Sequence, residues 1–251
     1  MAAVTFEQIQ QFWDSWQPRL ATYDPGQLTS AVEAIEELPP PSGEPADPVA
    51  CIIHEVARHA ESLQDWQLCA ALYQRVLQYP VNDRAIHAGA WYRYGLCMEK
   101  CGRFAEAICA YRSALLLGEA WPEVAALSRR SLAELLMAME EYREAAELWQ
   151  QVAEDRSLED AERAHAALCQ ARCLIQLGEN RQAQESLKRI GENADSDTAL
   201  QALYELARIC ESDANLDEAR HYYQRILEAS SFSEPSLRLA AALKLRELRS
   251  R

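Results

Sequence analysis

Residues 91–111 read WYRYGLCMEKCGRFAEAICAY, and this stretch decides the fold. A small residue, Ala107, is followed four positions later by Tyr111 and is preceded twelve positions earlier by Gly95. The small marker recurs along the chain at intervals of 38 residues, with a last interval of 36: Ala31, Cys69, Ala107, Ala145, Ala183 and Ala219. Self-similarity at a fixed period of this length is typical of a chain built from stacked repeats.

Two further columns of the repeat predict that each unit is a pair of helices. Four positions after each marker stands a bulky residue, on the same helical face: Ile35, Tyr73, Tyr111, Trp149, Leu187 and Tyr223. Twelve positions before five of the markers stands a second small residue: Ala57, Gly95, Ala133, Ala171 and Ala207. Small side chains let two helix backbones approach closely, so we expect an antiparallel hairpin with its helix crossing at these columns.

Composition supports an all-α fold and excludes several function classes. The chain has 251 residues, 49% of them hydrophobic, with only 8 Gly and 10 Pro, and no segment alternates as a strand does. A net charge of −14 disfavours binding to nucleic acid or to an anionic membrane surface. No apolar run is long enough to span a bilayer, and the start lacks the features of a signal peptide. Eight cysteines without a secretory signal therefore predict reduced thiols and a cytoplasmic protein.

The run Trp91–Met98, followed by Ala107 and Tyr111, resembles the tetratricopeptide repeat, whose pattern has Trp, Leu, Gly and Tyr and then Ala and Phe. The other units look like weaker copies, and the resemblance covers about residues 49–231. The period of 38 departs from the family's usual ~34, and the family's Pro near the end of each unit is mostly missing. The resemblance implies an α-solenoid of stacked antiparallel helix pairs in a right-handed superhelix, with a function in protein–protein interaction.

The same register predicts the organisation of the chain. Residues 1–38 read as a degenerate N-terminal helix pair, 39–48 as a Pro-rich connector, 49–231 as five repeats, and 232–251 as a C-terminal capping helix. The extra residues of the 38-residue period are expected to lengthen the first helix of each pair by about one turn. Helix starts are predicted at 47–48, at Asn82 or Asp83, at 119–122, at a Ser157–Asp160 capping box and at 195–197.

The family resemblance implies that one set of side chains on the first helices faces the concave groove: His54, Arg58, Tyr92, Arg93, Arg130, His165, Arg172, Tyr204 and Arg208. The expected partner is therefore another protein or a peptide. Because guanidinium groups bind carboxylates in a bidentate manner, an acidic partner is favoured. The alternative is that these arginines pair with glutamates three or four residues away. Arg93 and Arg172 have no obvious partner at that spacing.

The clamp that chaperone adaptors of this family use to bind a C-terminal carboxylate is not matched here. That clamp is made of Lys, Asn and Arg, and neither Lys nor Asn occurs at the corresponding positions of this chain: His54, Arg58, Arg93, Leu127 and Ser131. The chaperone function is therefore not carried over.

Catalytic and metal-binding functions find little support in the sequence. No Gly-rich phosphate loop, Gly-x-Ser-x-Gly elbow or His-Glu-x-x-His motif occurs, so neither an enzyme nor a cofactor is predicted. His165, Cys169 and Cys173 form a helical stripe, but a fourth ligand is not within reach in the sequence, and buried thiols are the favoured interpretation.

These observations predict a non-catalytic adaptor or scaffold that binds a partner segment in the concave groove. The alternative is a structural subunit that self-associates, or joins a larger complex, through its ends. It rests on charge, because residues 1–48 carry eight acids and one Arg, whereas residues 238–251 carry five basic residues and one Glu.

Overall fold

The computed structural model of the chain describes residues 47–118, 121–192, 196–229 and 235–249, together with eight isolated positions: 11, 14, 15, 18, 30, 31, 33 and 34. These residues form helices and no strand. The helices are α1 (Asp47–Ser62), α2 (Trp66–Val76), α3 (Arg84–Lys100), α4 (Phe104–Leu117), α5 (Pro122–Ala138), α6 (Tyr142–Glu154), α7 (Asp160–Gln176), α8 (Asn180–Gly191), α9 (Asp197–Ser212), α10 (Leu216–Glu228) and α11 (Pro235–Arg249). The prediction of an all-α fold of stacked helix pairs is confirmed.

The ten helices α1 to α10 form five consecutive pairs. Within each pair a turn of three residues joins the two helices: 63–65, 101–103, 139–141, 177–179 and 213–215. The first helices are 16 or 17 residues long and the second helices 11 to 14. The predicted N-terminal pair (1–38) and the connector up to residue 46 lie outside the described residues, apart from the isolated positions.

The chain divides into two compact units, Met1–Leu132 and Ala133–Arg251. In the first unit α1, α2, α3 and α4 pack in sequence, and α1 also contacts α3. In the second unit α6 to α11 pack in sequence, α7 also contacts α9, and α9 also contacts α11. In both units, therefore, the first helices of successive pairs are direct neighbours.

The core follows the columns read from the sequence. All six small markers are fully buried, and so is the second small column on the first helices. The bulky residues four positions after the markers are at most 1% exposed in the five described pairs: Tyr73, Tyr111, Trp149, Leu187 and Tyr223. Burial of each such side chain stabilises the fold by about 1.5–3 kcal/mol.

The closest approach at a crossing involves Gly95 of α3 and Tyr111 of α4. A Cβ atom added to Gly95 would lie 2.6 Å from Cε1 and 2.7 Å from Cδ1 of the Tyr111 ring. Only glycine therefore leaves room for the aromatic side chain at this crossing.

The five turns share one backbone conformation, the Schellman motif that ends many helices. The middle residue of every turn has a left-handed φ between 58° and 77°: Gln64, Gly102, Glu140, Gly178 and Ala214. The next residue donates its backbone N–H to the carbonyl five residues earlier, at 2.8–3.1 Å. Three of the five turns use a non-glycine residue in this conformation.

Among the helix starts that the structure describes with a cap residue, side chains cap three, and one predicted cap is wrong. Asp83 accepts a hydrogen bond from the backbone N–H of Ala85 at 2.9 Å, and Ser196 accepts one from Ala199 at 3.2 Å. Asp65 caps α2 in the same way through Leu68. The capping box at Ser157 does not form, because the N-cap position of α7 is held by Glu159, which makes no side-chain cap hydrogen bond. The Ser157 hydroxyl instead donates to Asp155 in the preceding turn.

Candidate interaction surfaces on the first helices

All nine residues predicted to face the groove lie on first helices. His54 and Arg58 are on α1, Tyr92 and Arg93 on α3, Arg130 on α5, His165 and Arg172 on α7, and Tyr204 and Arg208 on α9. Those on α1, α3 and α5 belong to the first unit, and those on α7 and α9 to the second. Each unit is therefore described by itself.

In the first unit Glu61 joins three helices. Its Oε1 accepts a hydrogen bond from the hydroxyl of Tyr73 at 2.7 Å, and its Oε2 accepts one from Nη1 of Arg93 at 2.8 Å. The Glu61 side chain is 17% exposed, whereas that of Arg93 is 36% exposed. Arg93 thus has a partner 32 residues away, on the neighbouring first helix, and not at the three- or four-residue spacing of local pairing.

His54 packs edge-on against Tyr73, with ring centroids 5.3 Å apart. Burial lowers the pKa of His54 below its ordinary value, Glu55 raises it, and Arg93 and Arg58 lower it further. The ring is therefore neutral at neutral pH. Arg58 forms an exposed ion pair with Glu55 at 3.4 Å, the local pairing that the sequence left open as an alternative.

The contact of Tyr73 with Glu61 recurs in two other helix pairs. The hydroxyl of Tyr111 donates to Glu99 at 2.9 Å, and the hydroxyl of Tyr223 donates to Glu211. In all three, burial first and then the nearby carboxylate raise the pKa of the tyrosine. An aromatic ring from the first helix also packs on each tyrosine: His54, Tyr92 and Tyr204.

The two remaining pairs lack this hydrogen bond. Their bulky residues are Trp149 and Leu187, and the positions twelve residues earlier hold Met137 and Ile175 instead of glutamate. Sequence reasoning missed the three glutamates, although a signal was present. Glutamate stands twelve residues before the bulky column in those described pairs where the bulky residue is tyrosine.

In the second unit Arg172 and Arg208 share the carboxylate of Glu205. Nε of Arg172 lies 3.3 Å from Oε1, and Nη1 of Arg208 lies 3.1 Å from Oε2. Arg172 also donates to Oε1 of Gln201 at 3.2 Å. Glu205 is 12% exposed and Arg208 is 59% exposed. Arg172 therefore has a partner 33 residues away, on α9, which again lies beyond the three- or four-residue spacing of local pairing.

A cavity of about 240 Å³ opens beside this group in the second unit. Its lining combines apolar and polar side chains: Met137, Tyr142, Arg172, Cys173, Ile175, Gln176, Glu205 and Arg208. Two guanidinium groups and one carboxylate leave a net charge of +1 among the charged groups of the lining. The structure thus brings together two of the predicted arginines beside one cavity.

The other predicted residues lie outside this cavity. His165 packs edge-on against Trp149 with ring centroids 6.2 Å apart, and its ring nitrogens lie 3.9 Å from Sγ of Cys169. Burial raises the pKa of Cys169, and likewise of Cys173, to about 11. Nowhere in the described ranges do three or more His, Cys, Asp or Glu side chains converge as ligands for a metal ion. Across those same ranges, no helix combines the length and apolar composition required to cross a bilayer.

The family model of the tetratricopeptide repeat matches residues 56–125 and 168–234, which is more than half of the chain. The chain belongs to the tetratricopeptide repeat (TPR) family. A search of curated proteins gave no match. The arginine groups described above thus lie on the first helices of TPR pairs.

Solved structures of TPR proteins share the fold. YrrB, a TPR protein with an unusual peptide-binding site, aligns with a TM-score of 0.59 and 18% identity over 88% of this chain and 99% of YrrB. The C-terminal part of a TPR repeat-containing protein from Cytophaga hutchinsonii aligns with a TM-score of 0.61 and 11% sequence identity over 95% of both chains. MamA from Desulfovibrio magneticus RS-1 aligns with a TM-score of 0.57 and 11% sequence identity over 71% of this chain and 93% of the MamA chain.

Proposed function

We propose that this TPR protein is a non-catalytic adaptor or scaffold that binds a segment of another protein along its first helices. The observation that carries the proposal is the pair Arg172 and Arg208, held around one glutamate at the rim of a cavity. TPR proteins serve in general as protein-interaction modules, and YrrB is one that binds a peptide. A cytoplasmic location is part of the proposal.

The chemistry of the cavity favours an acidic segment as the ligand. Glu205 satisfies one edge of each guanidinium, and each has further N–H groups for another acceptor. A carboxylate from the partner would meet two cations and one anion, so its interaction with the site is attractive although the whole chain carries −14. Tyr142, Met137 and Ile175 supply apolar surface for the stem of the bound side chain.

Preorganisation lowers the entropic cost of binding at this site. Glu205 and Gln201 hold Arg172 in place before the ligand arrives, so little side-chain entropy is lost on binding. In the first unit the same proposal assigns the groove face to His54, Arg58, Tyr92, Arg93 and Arg130. There Glu61 fixes Arg93 as Glu205 fixes Arg172.

The test is affinity capture from the source cell with three purified forms of the chain. The variant Arg172→Glu/Arg208→Glu reverses the charge at the cavity. The control Arg143→Glu/Arg181→Glu makes the same change in net charge on the second helices α6 and α8, at two highly exposed arginines. We expect the wild type and the control to capture one and the same protein, which the cavity variant loses.

A binding measurement then decides whether that protein is a true ligand. Its acidic segment, made as a peptide, is titrated into each of the three forms. A dissociation constant at least tenfold weaker for the cavity variant than for the control supports the proposal. Equal capture and equal affinity for all three forms would overturn it.

A further inference from the structure

Helix α11 is apolar on two opposite faces. One face packs Ala241, Leu245 and Leu248 onto the preceding helices. The other face exposes Leu239, at 62%, and Leu243, at 53%, four residues apart on one side of the helix. An outward face on a soluble helix is normally polar, and a contiguous apolar patch marks an interaction surface more often than a single exposed residue does.

The small Ala242 lies beside these leucines and is also exposed. Arg246 follows Leu243 by three residues and Leu239 by seven, so its exposed side chain continues the same stripe. We call Leu239, Ala242, Leu243 and Arg246 the α11 stripe. It combines an apolar centre with a positive charge at one end.

The charge of the surrounding segment indicates what this stripe binds. Residues 238–251 carry five basic residues against one glutamate. Two of the five are used internally, because Arg238 donates to the carbonyls of Leu227 and Ala229, and Lys244 lies 3.4 Å from Glu247. Arg246 remains exposed on the stripe, so the stripe favours an acidic occupant.

The chain itself contains a segment of the opposite charge. Residues 1–48 carry eight acids and one Arg, and their sequence includes an apolar stripe at helical spacing: Phe6, Ile9, Trp13, Trp16 and Leu20. Asp14 and Glu33 are described and exposed. A symmetric contact between two α11 helices would instead bring together two basic segments, which repel each other.

We propose that the α11 stripe binds the acidic N-terminal region, residues 1–48, of a second copy of this chain. The contact is head-to-tail, so each copy uses one end and leaves its other end available for a further copy. The stripe is small compared with standard interfaces, so association is weak and requires high protein concentration and low salt. This inference does not depend on the cavity of the second unit.

The test uses analytical ultracentrifugation of the full chain over a hundredfold range of concentration, at about 50 mM and about 500 mM NaCl. We expect a mass that rises above the single-chain 28.4 kDa with concentration at low salt and falls back at high salt. Leu239→Glu/Leu243→Glu should remain a single chain, whereas the control Leu116→Glu, at an exposed leucine of α4, should associate like the wild type.

A mixing experiment identifies the occupant. Asp14→Lys/Glu33→Lys reverses two charges and lowers the net charge of residues 1–48 from −7, eight acids and one Arg, to −3, and Leu239→Glu/Leu243→Glu disables the stripe. Each variant alone should stay a single chain, but an equimolar mixture should form a heterodimer, because each variant still has one functional end. The proposal is overturned if the wild type keeps a single-chain mass at every concentration at low salt. It is also overturned if Leu239→Glu/Leu243→Glu associates, or if Asp14→Lys/Glu33→Lys alone associates as strongly as the wild type.

Discussion

The hydroxyl of Tyr73 donates a hydrogen bond of 2.7 Å to the carboxylate of Glu61, twelve residues earlier on the partner helix. The residues at the same repeat positions, Tyr111 with Glu99 and Tyr223 with Glu211, make the same bond. The tyrosine ring fills the helix crossing, and its hydroxyl reaches a carboxylate at the edge of the core. This polar contact ties the two helices of a pair in one register.

Replacing Tyr73 with Phe should lower the free energy of unfolding by about 1–3 kcal/mol, since hydrogen bonds to charged groups are stronger than neutral ones. The ring stays in place, so the loss reports the hydroxyl alone. Urea denaturation measures it, and a double-mutant cycle with Glu61→Gln isolates the pairwise contribution. A coupling energy near zero would mean that the hydrogen bond does not stabilise the pair.

Two glycines of α3 should respond to alanine with opposite signs. Gly95→Ala places a Cβ 2.6 Å from the Tyr111 ring, so the buried ring must shift and stability should fall by about 1–3 kcal/mol. Gly89→Ala meets its nearest atom, Nε2 of His54, only at 4.0 Å, so helix propensity should raise stability by up to ~1 kcal/mol. Urea midpoints of the two variants that move in the same direction would contradict this prediction.

The turns allow a second matched comparison, based on backbone conformation. Ala214 has φ of 58°, which costs a non-glycine residue about 1–2 kcal/mol. Ala214→Gly should therefore stabilise the protein, by less than that cost because glycine is more flexible when unfolded. Gly178→Ala should destabilise it by about 1 kcal/mol, since a Cβ there meets no atom within 4 Å and only φ, at 77°, opposes it. Thermal unfolding of both variants checks the signs.

Stability should depend on pH through His54. Its pKa is lowered in the folded state, so below the ordinary value near 6.5 the unfolded chain takes up a proton that the folded chain does not. This contribution is fully present above pH 6.5 and is lost as the pH falls. His54→Tyr installs the residue found at this position in the next repeat and should reduce the loss of stability between pH 7.5 and pH 5.5. Urea midpoints at the two pH values measure it, and an unchanged difference would exclude His54 as a source.

Five of the eight cysteines should fall into two reactivity classes. Cys51 and Cys109 are exposed, whereas burial raises the pKa of Cys210, like those of Cys169 and Cys173, to about 11 and leaves little thiolate at pH 8. A thiol reagent should label the two exposed cysteines quickly and the other three only after unfolding. In Cys51→Ser/Cys109→Ser the fast phase should lose two thiols, and a fast phase that persists at full size would show that the buried thiols are accessible.

The sequence predicted the crossings well because they are set by size and period. A small residue and a bulky residue recur about every 38 positions. Because each helix pair packs in the same way, the residues at its crossing recur at the same interval in the sequence. Column positions from Cys69 to Tyr223 are buried as predicted. The Ser157 cap failed because the helix begins two residues later than a cap at Ser157 requires, with Glu159 at the N-cap position, a local choice that spacing does not decide.

The ion pairs of the candidate surfaces were harder to predict. Arg93 and Arg172 find their partners on the neighbouring first helix, 32 and 33 residues away, rather than within one helix. A search at a spacing of three or four residues misses such pairs, because stacking places positions nearly one repeat apart side by side. The glutamates that fix these arginines, Glu61 and Glu205, are therefore part of the site and would emerge from a search at a spacing of 32 or 33 residues, a few residues short of the repeat length.

The shared turn conformation has a practical consequence for spectroscopy. Gln64, Glu140 and Ala214 already adopt the left-handed backbone with a side chain in place, and all three are exposed. A nitroxide or fluorophore attached at any of them would add no new backbone strain. Because the three sites are equivalent by repeat, distances measured between labels at these sites would report the spacing of the repeats in solution.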